Sequence, residues 1–200
     1  MNARLEYDTG FLAAIYWEDR VLFNHYHVKI EMQTVSMDHV CHNVALERVR
    51  YIINEMMANS IFVHQDDRSA IKKLESAGLK VILLPEIPVD QIVGMMLYCK
   101  LSAVVEDQMD VTQIGISSDL GEGVVYLQDQ YENVGPFESN GWWADPEPKS
   151  QGSTGPGGKV VKLEKSLTWK DLDLSWPDED PNDSDDPDKN VVEFRKDETK

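Results

Sequence analysis

Cysteine is nearly missing from this sequence: Cys41 and Cys99 are the only two among 200 residues. Neither stands in a Cys-x-x-Cys pair, so no disulfide framework and no all-sulfur zinc motif is encoded, and a reducing, intracellular setting is expected. Long apolar runs are missing too. Stretches such as "IVGMMLY" fall far short of the roughly 20 residues that cross a bilayer, and "MNARLEYDTG" has no leader pattern. Positive charge is scarce, with 19 Lys and Arg against 36 Asp and Glu and a net charge of −17. Acids outnumber bases by 21 to 10 through Ala144 and by 15 to 9 after it, so both halves are acidic. Such a surface repels phosphate backbones, which argues against direct binding of DNA or RNA and favours basic protein surfaces as partners. No phosphate-cradling glycine loop, nucleophile elbow or His-Glu-x-x-His helix is present.

What is present reads as one folded domain over residues 1–144. "GFLAAIYW" and "VLFNHYHVKIEMQTVS" read as strands, the second alternating so that Val28, Ile30 and Met32 share one face and His25, His27, Lys29 and Glu31 the other. A helix follows, with Asp38 or Asn43 as N-cap, Ala45, Val49, Ile52, Ile53 and Met56 inward, and Glu47, Arg48, Arg50 and Glu55 mostly outward. "SIFVHQDDRSAIKKLESAGLKVILLPEIP" reads as strand, short helix and strand, with Asp66 or Asp67 as cap and Gly78 ending the helix. Pro88 opens a long helix whose apolar face holds Val89, Ile92, Val93, Met96, Leu97, Val104 and Val105. A hairpin around "DLGEG" closes the domain. The expected fold is α+β: a mainly antiparallel sheet with two main helices on one face, in the order ββ-α-(βαβ insert)-α-ββ.

From Asp145 the composition changes. "PEPKSQGSTGPGG" has the makeup of a flexible linker, and "WPDEDPNDSDDPDKN" is too acidic and proline-rich to build a core, so residues 145–200 are expected to form a disordered acidic tail. Inside it, residues 159–176 concentrate apolar surface at Leu163, Leu167, Trp169, Leu172, Leu174 and Trp176. Two readings stay open: a segment that docks to a protein partner, or one that packs back on its own domain.

Four of the five histidines, His25, His27, His39 and His42, fall within eighteen residues, with Cys41 among them. Residues i and i+2 of a strand stand side by side, so His25 and His27 could supply two nitrogens to a zinc ion, with a third ligand from elsewhere. The competing reading makes them polar residues on a wet face, with no cofactor at all.

The order of elements resembles the tunnelling fold of 6-pyruvoyl-tetrahydropterin synthase-like proteins. "FLAAI" at residues 11–15 is similar to that family's first-strand "F-x-A-A-H", and "HYH" at 25–27 to its "H-G-H". The resemblance implies zinc on His25 and His27. It puts Ile15 at the third ligand position, so His39, Cys41 or His42 would have to substitute. It also places Ser118 where a ring-gripping glutamate is expected, and suggests His64 as a proton-transfer residue. "LEYDTGFLAAIYW" and "GPFESNGWWADPEP" are similar to segments of uncharacterised proteins of large tailed marine phages, which implies a viral protein in the bacterial host cytoplasm or virion.

Two functions are therefore expected to compete. One is a non-enzymatic, homo-oligomeric phage interaction module that recruits a host or phage protein through its tail. The other is a divergent metal-dependent enzyme or binding protein for a pterin or deazapurine.

Overall fold

The computed structural model describes residues 3–35, 38–149 and 167–177. The chain folds as β1 (Arg4–Trp17), β2 (Arg20–Thr34), α1 (His39–Tyr51), β3 (Ile61–His64), α2 (Arg68–Ser76), β4 (Val81–Leu84), α3 (Asp90–Val105), β5 (Met109–Ser118) and β6 (Tyr126–Asp129). This is the expected α+β order, that of the tunnelling-fold resemblance. The sheet runs β4-β3-β1-β2-β5-β6. Its four central and right-hand strands are antiparallel, while the insert adds β3 and β4 parallel to β1 at one edge.

Alternation decides the layers. Asn24, Tyr26, Val28, Ile30, Met32 and Thr34 of β2 are buried under the helices, and the residues between them face away. Asp38 caps α1 by accepting from the Val40 and Cys41 amides, which selects it over Asn43. α1 continues into a π-helical turn, Ile52–Met57, so the apolar run stays buried beyond the point where regular periodicity ends. Asp67 caps α2, and Gly78 follows it at φ +71°, a conformation that glycine adopts without strain. α3 packs on β5 and α1, but its N-cap Val89 is half exposed rather than part of the apolar face.

The insert helix does not join the other two. Ala70 and Leu74 of α2 pack with Ala14, Tyr16, Ile61 and Val63, while Phe11, Ala13 and Phe62 belong to the main core. Neighbours in sequence thus point to opposite faces, and α2 covers the back of the sheet at the β3–β4 end. Among the described residues, nothing else covers that back face.

Residues after Ala144 contribute to the same body. Lys100 of α3 is fully buried, and its ammonium donates to the carbonyls of Trp142 (3.2 Å), Asp145 (2.7 Å) and Glu147 (2.7 Å). Burial pulls its pKa down to about 8. The Trp142 indole N–H in turn donates to the Leu83 carbonyl of edge strand β4. Of the expected tail, residues 145–149 and 167–177 are described and lie on the domain. The remainder, including Leu163, lies outside the described residues.

Candidate metal centre on the open sheet face

His25 and His27 stand on the open face of β2, as alternation predicts. Their rings lie 4.3 Å apart at 70°. β2 pairs with β5 so that His27 faces Ser117 and Tyr26 faces Ser118. Continuing that register by one residue sets Asp119 opposite His25. Its carboxylate comes within 3.7 Å of His27 Nε2, and one ligand atom from each of His25, His27 and Asp119 lies within 4.8 Å of the others.

Asp119 belongs to a short 3-10 turn, Asp119–Gly121, and two buried side chains hold that turn in place. Asn24, 3 % exposed on the core side of β2, accepts from the Leu120 amide at 3.1 Å. Ser118 Oγ accepts from the Gly121 amide and donates to Asp90, a buried carboxylate in the first turn of α3, at 2.7–2.8 Å. The backbone at Gly121 runs so close to Asp90 that a Cβ there would collide with its carboxylate. Beneath the site, burial holds the Tyr26 phenol far above its ordinary range, so it stays neutral.

The donor set fits a zinc ion. Tetrahedral ligands at roughly 2.0–2.2 Å from zinc lie about 3.4 Å from one another, and small rotations of these partly exposed side chains close the distance. Gly10, which pairs with His27, leaves room for the neighbouring ring: a Cβ there would lie 3.2 Å from His25 Nε2 and 2.7 Å from the Tyr26 carbonyl.

The other expected ligands lie elsewhere. Ile15 has the parity of Phe11 and packs toward the main core, on the opposite face from the histidines. His39, Cys41 and His42 form the first turn of α1, where the Cys41 thiol donates to Asp38 and His39 meets His42 edge-on at 6.0 Å. They belong to the helix layer, because α1 covers the core side, and Asp119 is the residue that stands beside His25 and His27 instead. His64 shares the core-side parity of Phe62, and its Nδ1 accepts from the Asp66 amide in the turn before α2. Strand β3 reaches it level with the β1–β2 turn, well past His25, so it is not brought to the triad.

The tail residues divide. Trp169 and Trp176 are 3 % and 8 % exposed, Leu172 and Leu174 pack against the core, and Leu167 is exposed. Of the two readings of this segment, packing back is what residues 169–176 do. They cover Arg48, which is 1 % exposed and not on the outer face of α1: its guanidinium lies 3.7 Å from the Trp176 ring and 4.8 Å from Trp169.

Two grooves lie apart from the triad. One of about 310 Å³ runs between α3 and β6 past Gln91, Met95, Tyr126 and Gln128, and one of about 280 Å³ lies beside Arg4, Glu31 and Tyr131. Among the described residues, nothing closes over the triad. Beside it, Leu12 and Phe23 are 63 % and 84 % exposed on the same face. No described helix is long and apolar enough to cross a membrane.

No protein-family model matches the chain, and no curated protein matches it. Solved structures are similar to it at low identity. An uncharacterized protein, WS1659 from Wolinella succinogenes, is 9 % identical over 65 % of this chain and 99 % of that one, with a TM-score of 0.49. The 6-pyruvoyl tetrahydropterin synthase of Plasmodium vivax is 9 % identical over 64 % and 97 %, with a TM-score of 0.44. That of Plasmodium falciparum is 11 % identical over 66 % and 99 %, with a TM-score of 0.43.

Proposed function

We propose that this protein is a metal-dependent ligand-binding protein that holds a zinc-class cation with His25, His27 and Asp119. The observation that supports it is the convergence of two imidazoles and a carboxylate within 4.8 Å, from two paired strands and an anchored turn. Two nitrogen donors favour zinc over calcium or magnesium, which prefer oxygen. Three protein ligands leave a fourth position for a ligand oxygen, which the cation polarises. The family resemblance makes a pterin or deazapurine the first ligand to try. The reading stops at binding, because Ser118 is engaged with Asp90 and His64 lies on the other face.

The test is the zinc content of purified, tag-free protein beside a His25→Ala/His27→Ala double variant and Asp119→Ala. Near-stoichiometric zinc, lost in both variants, supports the reading. Zinc retained in Asp119→Ala removes Asp119 from the site. No zinc in any of the three sinks the reading.

A second reading, a self-assembling interaction module, is favoured by Leu12 and Phe23 beside the open triad. A second copy laid over this face would cover them and enclose the triad as well. Sedimentation of the wild type against Phe23→Asp decides it: an oligomer that the substitution breaks supports assembly, and a monomer in both cases ends it.

A further inference from the structure

We infer that the face of α1 around Arg48 is a peptide-recognition site, and that residues 167–177 are a separable ligand built into the chain. The ligand is a short acidic peptide with two tryptophans seven residues apart, bracketing a Leu-x-Leu pair.

Arg48 is the centre of the receptor. Nη1 donates to the Val104 carbonyl (3.3 Å) and the Glu106 carboxylate (2.8 Å), so the end of α3 fixes the guanidinium. Its planar faces and its Nε remain for the segment: Trp169 and Trp176 stack on it, and Nε donates to the Leu174 carbonyl at 2.9 Å. A flat, delocalised cation is suited to this double use, because it stacks on rings while donating in its plane. A second wall comes from residues 145–149. The Glu147 carboxylate accepts from the Trp169 amide at 3.1 Å, and the Pro146 carbonyl accepts from its indole N–H at 2.6 Å. Tyr51, one turn along α1 from Arg48, closes on Trp169 edge-on at 5.7 Å.

The segment carries its own local order. Thr168 and Asp171 bond reciprocally, with Thr168 amide and hydroxyl donating to the Asp171 carboxylate and the Asp171 amide donating to the Thr168 oxygen. The Trp169 carbonyl accepts from the Leu172 and Leu174 amides, turning the chain so that both rings meet one cation. A peptide ordered by its own bonds loses less freedom on binding. Its described anchors are ring stacking on Arg48, apolar packing of Leu172 and Leu174 against the core, and hydrogen bonds to the receptor, and it adds no strand to the sheet. One bond is left unmade: Trp176 Nε1 is buried without a hydrogen-bond partner, so the fit is short of complete.

The experiment uses the full chain with a protease recognition sequence substituted within residues 150–166, so that the folded protein can be severed there. A labelled synthetic peptide of residues 167–177 is then offered to the cut protein. We expect the C-terminal fragment to co-elute with the domain, the labelled peptide to exchange with it at saturable, micromolar affinity, and a Trp176→Ala peptide to bind at least tenfold more weakly. Because the aromatic substitution is in the peptide, the receptor is untouched. Immediate loss of the fragment without peptide uptake, equal binding of the two peptides, or unfolding of the domain on cutting would each overturn the proposal.

Discussion

Two places in the molecule concentrate nitrogen-bearing side chains, and they treat solvent in opposite ways. On the open sheet face, His25, His27 and Asp119 stay partly or largely exposed, and the bonds that hold the Asp119 turn run to buried neighbours, Asn24, Ser118 and Asp90. On the helix side, Arg48 is itself buried, roofed by two indoles and bonded on every side. A buried cation is costly unless fully partnered, so Arg48 is bound up with stability. An exposed triad costs the fold little and can be altered without it. The contrast separates a place where the domain holds a segment of its own chain from one open to a small ligand.

The sharpest way to break that contrast is Arg48→Ala. It removes the cation under both indoles and three acceptors' donor, and should destabilise the protein by about 3 kcal/mol or more in urea denaturation. A loss below about 1 kcal/mol would put Arg48 in the same class as the triad.

Lys100 tests the helix side by pH. Its folded pKa of about 8 lies below the ordinary lysine value, so between pH 8 and 10.5 the unfolded chain binds the proton that the folded one has shed. Its burial penalty is therefore full below pH 8 and fades as pH rises toward 10.5. Cys99, whose thiol burial pushes up to about 11, acts in the opposite direction above pH 9, so the lysine must be isolated by difference. The stability of wild type minus Lys100→Met should climb across pH 8–10.5, by a few kcal/mol at most. A flat difference would mean that the ammonium is not desolvated.

Ser118→Ala probes the boundary between the regions. It strips the buried Asp90 carboxylate of its hydroxyl partner and frees the Gly121 amide, for an expected cost of about 1–2 kcal/mol. It should also weaken zinc binding, while Ser118→Thr keeps the hydroxyl and both properties.

Asp119→Asn and His27→Ala should sit at the bottom of the scale, within about 0.5 kcal/mol of wild type in stability while abolishing zinc uptake. In the wild type, zinc binding should weaken as the solution is acidified, because an imidazole must shed its proton to ligate. Calorimetric titration at several pH values reads both.

The large periodicities were legible in the sequence because they are local. The β2 alternation that parts Val28, Ile30 and Met32 from His25 and His27 follows from a two-residue repeat, and the caps at Asp38 and Asp67 from the residue types that precede an apolar helix. Asp119 was not legible, since it meets His27 only through the β2–β5 register across about ninety residues. One signal did exist: an aspartate directly after a strand that must pair with "HYH". Arg48 escaped for a related reason. Its spacing marks an outward face of α1, and the rings that bury it lie in a stretch whose composition reads as tail.

The indole of Trp142 on the Leu83 carbonyl has a consequence for solubility. Strands β4 and β6, at the two margins of the sheet, are four residues long, against 14 and 15 for β1 and β2. A stray strand zipping onto β4 would find a short template with one of its acceptors already occupied by a bulky ring. Brevity and plugging are both ways of discouraging runaway edge-to-edge polymerisation. Trp142→Ala would therefore be expected to raise the tendency of concentrated protein to form thioflavin-positive aggregates, even where its folded structure is retained.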